Sequence, residues 1–131
     1  MHQSENSTAQ ILFDEIKIVC WVMTYPDNHD KKAIHVKATW GKRCNKIIFM
    51  SSKNDSSLPS IDLKVVESRK TLWGKTKAAF QYVYKHHLND ADWFVKADDD
   101  TFMIMENLRF MLSQYNSSQA WYFGCQFREI S

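Results

Sequence analysis

Glycine and proline are scarce, with three Gly and two Pro in 131 residues. So few glycines leave no GxGxxG and no GxxxxGK[ST] pattern, which excludes a phosphate cradle built from glycine backbone. A diphosphate bound here must find its positive charge elsewhere. Residues 51–60 (SSKNDSSLPS) read as a polar loop, no low-complexity tract or domain linker breaks the chain, and its length suits one domain. No window reaches the roughly 18 consecutive apolar residues that span a bilayer. Residues 1–10 (MHQSENSTAQ) lack the basic-then-apolar order of a signal peptide. Charge of one sign is lacking as well: 17 basic and 15 acidic side chains give a net charge of +2. With no basic stripe to follow a phosphate backbone, nucleic acid is excluded as a partner. No two of the three cysteines lie within four residues of each other, so a zinc-binding pair is excluded too.

Hydrophobic residues make up 44% and aromatics 14%, enough for a packed core. Residues 16–23 (IKIVCWVM) form a β-branched apolar run that stops at the turn-forming string 24–28 (TYPDN), which predicts a buried strand and a loop. From Asp30, the positions of Ala33, Val36 and Trp40 predict a helix of about three turns ending near Gly41. Residues 46–50 (KIIFM) and 61–66 predict two further short strands. A long helix is expected over about 69–87, where Leu72, Thr76, Ala79, Phe80, Val83 and His87 recur at three- and four-residue intervals. Residues 92–97 (DWFVKA) predict another strand. Ile104, Leu108, Met111, Leu112 and Tyr115 mark a helix, and residues 120–123 (AWYF) a last strand. Strands alternating with helices imply crossovers and a mainly parallel sheet, so the fold class is α/β.

In such a sheet, ligands bind beyond the carboxyl ends of the strands. Two loops qualify there, residues 24–28 and Asp98-Asp99-Asp100. Three adjacent carboxylates repel one another unless a cation is present, and a hard divalent ion such as Mg²⁺ or Mn²⁺ prefers oxygen ligands. In an extended segment, Asp98 and Asp100 share one side and Asp99 takes the other. The competing reading is a cap, with Asp100 or Thr101 at the start of the following helix. Placement after an apolar strand favours metal and nucleotide binding. Lys75, near the start of the long helix, either complements a diphosphate or belongs to a solvated helix face, and the sequence favours the second. His86 and His87 sit where a helix end favours cations. Asn6, Asn54 and Asn116 head acceptor sequons in polar stretches suited to surface loops, and together they tilt toward a lumenal chain whose targeting segment lies outside this sequence. Cys20 and Cys44 can meet across neighbouring strands as a disulfide, with Cys125 outside the bridge; equally, all three can be buried thiols.

The strings CWVMT (20–24), HVKATW (35–40), RCNK (43–46), FMSS (49–52), KT (75–76), AFQYV (79–83), DADWF (90–94), KADDDT (96–101), ENLR (106–109) and YFG (122–124) closely resemble the core 1 β1,3-galactosyltransferase family, from about residue 16 to 127. The resemblance implies a GT-A (Rossmann-like) nucleotide-sugar fold. It also implies transfer of galactose, with inversion, from UDP-galactose to the 3-hydroxyl of GalNAc on Ser or Thr of a glycoprotein acceptor, with Mn²⁺, on the lumenal side of the Golgi membrane. The family's DxD motif maps onto Asp98-Asp99-Asp100, with Asp100 as direct metal ligand, Asp98 toward the ribose or metal-bound water, and Thr24 in the uridine-side loop. The chain departs from the pattern at Tyr25, where a glycine is usual, and at Cys125-Gln126, where a basic pair is usual.

On this reading, residues 1–15 are a polar tail, the remnant of a stem, and residues 16–131 are the donor-binding half of a GT-A domain. The catalytic base and a histidine metal ligand are expected beyond Ser131, so the chain is expected to be inactive alone. Membrane attachment is expected only through an N-terminal anchor outside this sequence, and a homodimer is left open. Two alternatives remain: a non-catalytic, chaperone-like homologue, which the DDD string argues against, and a β1,3-glycosyltransferase of different sugar preference.

Overall fold

The apolar run near the N-terminus becomes the centre of the sheet, because a strand of such side chains needs cover on both faces and both edges. The computed structural model describes residues 2–125, with side chains described from residue 7 onward. Among the described residues four strands, β1 (Ile18–Met23), β2 (Lys46–Ser51), β3 (Ser60–Asp62) and β4 (Trp93–Asp98), form one all-parallel sheet of order β3-β2-β1-β4. Helices α1 (His2–Glu15), α2 (Ile34–Ala38), α3 (Leu72–His87) and α4 (Met105–Leu112) accompany it.

All six residues of β1 are buried, and their two-residue period divides them between two cores. Ile18, Cys20 and Val22 pack with Ala33, Val36, Trp40, Met105 and Leu112 on one side. Val19, Trp21 and Met23 pack with Ala79 and Val83 of α3 on the other. The result is the three-layer α/β arrangement of a GT-A-like fold. Each fully buried Val or Ile contributes about 1.5–3 kcal/mol. Cys20 and Cys44 are joined by a disulfide with Cα atoms 6.0 Å apart, while Cys125 is exposed.

Several expectations change. Residues 2–15, read as a polar tail, are helix α1, which lies against α4. Its anchor is tertiary: the Arg109 guanidinium stacks 4.7 Å from the Phe13 ring centroid, and Asn45 Nδ2 donates to the Phe13 carbonyl. The single helix expected from Asp30 to Gly41 is a π-helical turn (His29–Ala33), α2, and a 3₁₀ turn (Trp40–Arg43). It breaks where the Thr39 hydroxyl donates back to the His35 carbonyl and where Gly41 presses against Val36 and Ile47. The strand expected over 61–66 shortens to β3. The long helix starts as a 3₁₀ turn (Arg69–Thr71) capped by Ser68. Residues 120–123 form no strand; Trp121 and Phe123 instead pack around Tyr115, each with its ring centroid 4.9 Å away. Aromatic β-propensity becomes a strand only where a partner's ladder meets it. No helix among the described residues is long and apolar enough to cross a membrane.

A Cβ at Gly41 would lie 2.6 Å from Ile47 Cδ1 and 2.7 Å from the Val36 carbonyl oxygen, which is backbone and cannot swing away. Gly41→Ala is therefore expected to destabilise the fold by about 1–3 kcal/mol, measured as a lowered urea midpoint with an unchanged slope. The Cys20 to Cys44 bridge spans 24 residues. Replacing both by alanine is expected to remove about 3 kcal/mol, read from the same melts.

Candidate functional site

β1 and β4 are neighbours with Met23 opposite Asp98, so the loops that follow them leave the sheet side by side. The ladder continues one step further, as Asp99 N–H donates to the Met23 carbonyl at 3.1 Å. β4 then ends, and Thr101 N–H closes a turn on the Asp98 carbonyl at 3.0 Å. Trp40 Nε1 holds the far side of this turn by donating to the Thr101 carbonyl at 2.8 Å. After β1, Pro26 opens a 3₁₀ turn (Pro26–Asn28) that buries Asn28. Asp99 Oδ2 accepts from Thr24 Oγ1 at 2.8 Å and from Asn28 Nδ2 at 2.9 Å. The middle carboxylate is thus turned inward and spent on joining the two loops.

Asp98 and Asp100 are exposed. Asp98 Oδ1 lies 3.2 Å from Lys96 Nζ, its neighbour two positions back on the same strand face. Both carboxylates open onto a cleft of about 580 Å³ that also reaches Thr24, Lys32, Arg69 and Lys75. Lys75 is not on a solvated helix face. It is buried, and Nζ donates to the Thr24 carbonyl and, at 2.6 Å, to Glu67 Oε1. Two hydrogen-bonded oxygens, one of them charged, offset the cost of burying the ammonium. Lysine and glutamate together tie the start of α3 to the end of β1.

The cleft therefore brings together Thr24, Lys75, Asp98 and Asp100. Neither Asp100 nor Thr101 caps α4, whose N-cap position is Ile104. The oxygen donors suit a hard divalent ion, which commonly takes one or two carboxylates and fills its shell with water and substrate phosphate. Among the described residues no three His, Cys, Asp or Glu side chains gather as a complete ligand set. Asn54 and Asn116 are exposed, with Oδ1 accepting from Asp62 N–H and Ser118 N–H respectively. Asn6 falls within α1 rather than in a loop, and its side chain lies outside the described residues. Sequence reasoning missed Lys32 and Lys96 as cleft cations and Asn28 as a partner of Asp99. The two-residue period places Lys96 beside Asp98 and could have found it; nothing in the local pattern marks Lys32 or Asn28.

With this geometry in view, comparison with known proteins gives a consistent family. Glycoprotein-N-acetylgalactosamine 3-beta-galactosyltransferase 1 of Xenopus laevis is 48% identical over 124 residues, covering 95% of this chain and 34% of the relative. Beta-1,3-glucosyltransferase of Mus musculus is 31% identical over 103 residues, covering 79% of this chain and 21% of the relative. Chondroitin sulfate synthase 3 of Mus musculus is 28% identical over 113 residues, covering 79% of this chain and 13% of the relative. The chain thus spans 34% or less of the length of these curated relatives. A family model described as Fringe-like matches residues 14–128, from the end of α1 through both cleft loops, and the chain belongs to the Fringe-like family.

Proposed function

We propose that the cleft between the ends of β1 and β4 holds the nucleoside diphosphate of a sugar donor, UDP-galactose, together with Mn²⁺. The complete protein would transfer galactose to the 3-hydroxyl of GalNAc on a glycoprotein acceptor. The observation that carries this reading is the division of labour among the three aspartates: Asp99 is consumed by Thr24 and Asn28, while Asp98 and Asp100 stay exposed at the cleft. The 48% identity to a galactosyltransferase whose name specifies GalNAc glycoproteins supports the donor and the acceptor.

Asp100 and Asp98 are the residues that would hold the ion, and when bound it would neutralise the diphosphate and stabilise UDP as leaving group. Lys32, Lys96 and Arg69 line the same cleft and supply the positive charge that a glycine cradle would otherwise provide. Thr24 borders the uridine side. Its hydroxyl is donated to Asp99 and its carbonyl is held by Lys75, so both polar groups are fixed before a ligand arrives. Transfer also needs a base to deprotonate the acceptor hydroxyl. Glu67, the other carboxylate at the cleft, is paired with Lys75 and is not assigned as that base. The disulfide and the exposed Asn54 and Asn116 sequons support a lumenal, oxidising setting such as the Golgi. The 31% identity to a beta-1,3-glucosyltransferase favours, as a second reading, the same site with a different sugar.

Calorimetry on the chain is expected to show UDP binding that requires Mn²⁺ and disappears with a chelator. Asp100→Asn should weaken it at least about tenfold, roughly 1.4 kcal/mol. UDP binding indifferent to both the metal and Asp100→Asn, or no binding at all, would refute the donor site. With the complete protein, a GalNAc-Ser/Thr peptide and a panel of UDP-sugars, UDP-galactose is expected to be the preferred donor. Preference for UDP-glucose would instead establish the second reading.

A further inference from the structure

A second polar cluster lies behind the cleft, in residues that no motif connects. His29 is buried, with Nε2 2.8 Å from Ser51 Oγ and Nδ1 3.2 Å from Asp55 Oδ2. Asp55 Oδ1 accepts from Ser57 Oγ at 2.6 Å and from Ser57 N–H at 3.0 Å. The Ser57 hydroxyl first, then its N–H, and to a smaller extent His29, hold the Asp55 carboxyl at about 2 against the desolvation that raises it. Asp55 is thus ionised at neutral pH and fixes the imidazole tautomer: Nδ1 carries a proton toward the carboxylate, and in the neutral ring Nε2 accepts from Ser51.

Serine, histidine and carboxylate in this order resemble a nucleophilic triad, yet Ser51 is 0% exposed and no substrate can reach its hydroxyl. The cluster acts on its neighbours instead. Ser51 ends β2, and its carbonyl accepts from Leu63 N–H, so the serine is fixed to the sheet. His29 directly follows Asn28, which donates to Asp99. The ring therefore fastens the C-terminal side of the 3₁₀ turn to β2, while Thr24, through Asp99, fastens its N-terminal side to the end of β4.

We propose that His29 is a positioning residue for the donor site. Clamped between Ser51 and Asp55, it holds Asn28 where its amide keeps Asp99 turned inward, and so leaves Asp98 and Asp100 to the ligand. This rests on the donor-site reading of the cleft, but the clamp has a readout that needs no ligand. In wild type, the side-chain amide NMR signals of Asn28 are expected to be displaced by the bond to Asp99, and Asp99→Ala, which removes the accepting oxygen, marks their position once that bond is lost.

The test compares His29→Leu, Ser51→Ala and His29→Gln with wild type, following the Asn28 amide signals and UDP affinity in Mn²⁺. His29→Leu is expected to move the signals to the Asp99→Ala position and to weaken UDP about tenfold, the scale of one lost preorganising contact. His29→Gln, whose amide can donate to Asp55 and accept from Ser51, should restore part of both. If His29→Leu lowers only Tm, with Asn28 signals and UDP affinity unchanged, the ring is a fold-stabilising group and the proposal is overturned. Should His29→Leu fail to fold, Ser51→Ala decides by the same two readouts. Should wild type bind no UDP, the donor reading falls while the Asn28 signals still decide the clamp.

Discussion

One carboxylate oxygen closes the working end of this sheet. Asp99 Oδ2 takes a hydroxyl from the residue that follows β1 and an amide from the turn beyond it, and thereby sets both loops relative to β4. It also resolves the electrostatic conflict of three consecutive aspartates. Once the middle charge is satisfied by protein donors, its neighbours on either side remain exposed, one of them near Lys96. The middle aspartate thus has a mechanical role: it holds the two loops together between two carboxylates that stay exposed.

A second constraint follows from having so few glycines. Where a glycine-rich phosphate cradle offers backbone N–H groups, this cleft has side-chain cations, with Lys75 withdrawn behind them as a structural tie. Its ammonium is hidden beneath the Thr24 carbonyl, with Glu67 as the charge that makes burial tolerable. The same logic operates at the other end of the sheet. Arg109 is buried there, and its guanidinium donates to the Ile16 carbonyl and to Asn45 Oδ1 while stacking on Phe13. Desolvation lowers its pKa. One buried cation therefore supports each end of the sheet.

What could be read from the sequence follows from how local each cause is. β1, β2 and β4 were legible because buried parallel strands appear as continuous apolar runs, and the aspartates because they end one of them. Helix α1 was not legible: its polar first turns conceal an anchor made by Phe13, Asn45 and Arg109, which only the fold brings together. A lysine on a helix looks solvated until Glu67 and Thr24 are seen beside it. The 120–123 run has the right composition for a strand and, among the described residues, no partner ladder. The His29, Ser51 and Asp55 cluster joins three separate segments, so neither period nor motif could reveal it.

The order β3-β2-β1-β4 makes β1 an inner strand, and its β4 neighbour is far away in sequence. Thr24 and Asp99, which close the finished sheet, are 75 residues apart. During synthesis at about 5–20 residues per second, one whole edge of β1 therefore stays open for several seconds after that strand has emerged. The Cys20 to Cys44 bridge spans only 24 residues and joins β1 to the segment just before β2, so it can form while that edge is still waiting. In a nascent chain the bridge is thus available as an early clasp, tying the most apolar segment to the residues before β2 ahead of the arrival of β4.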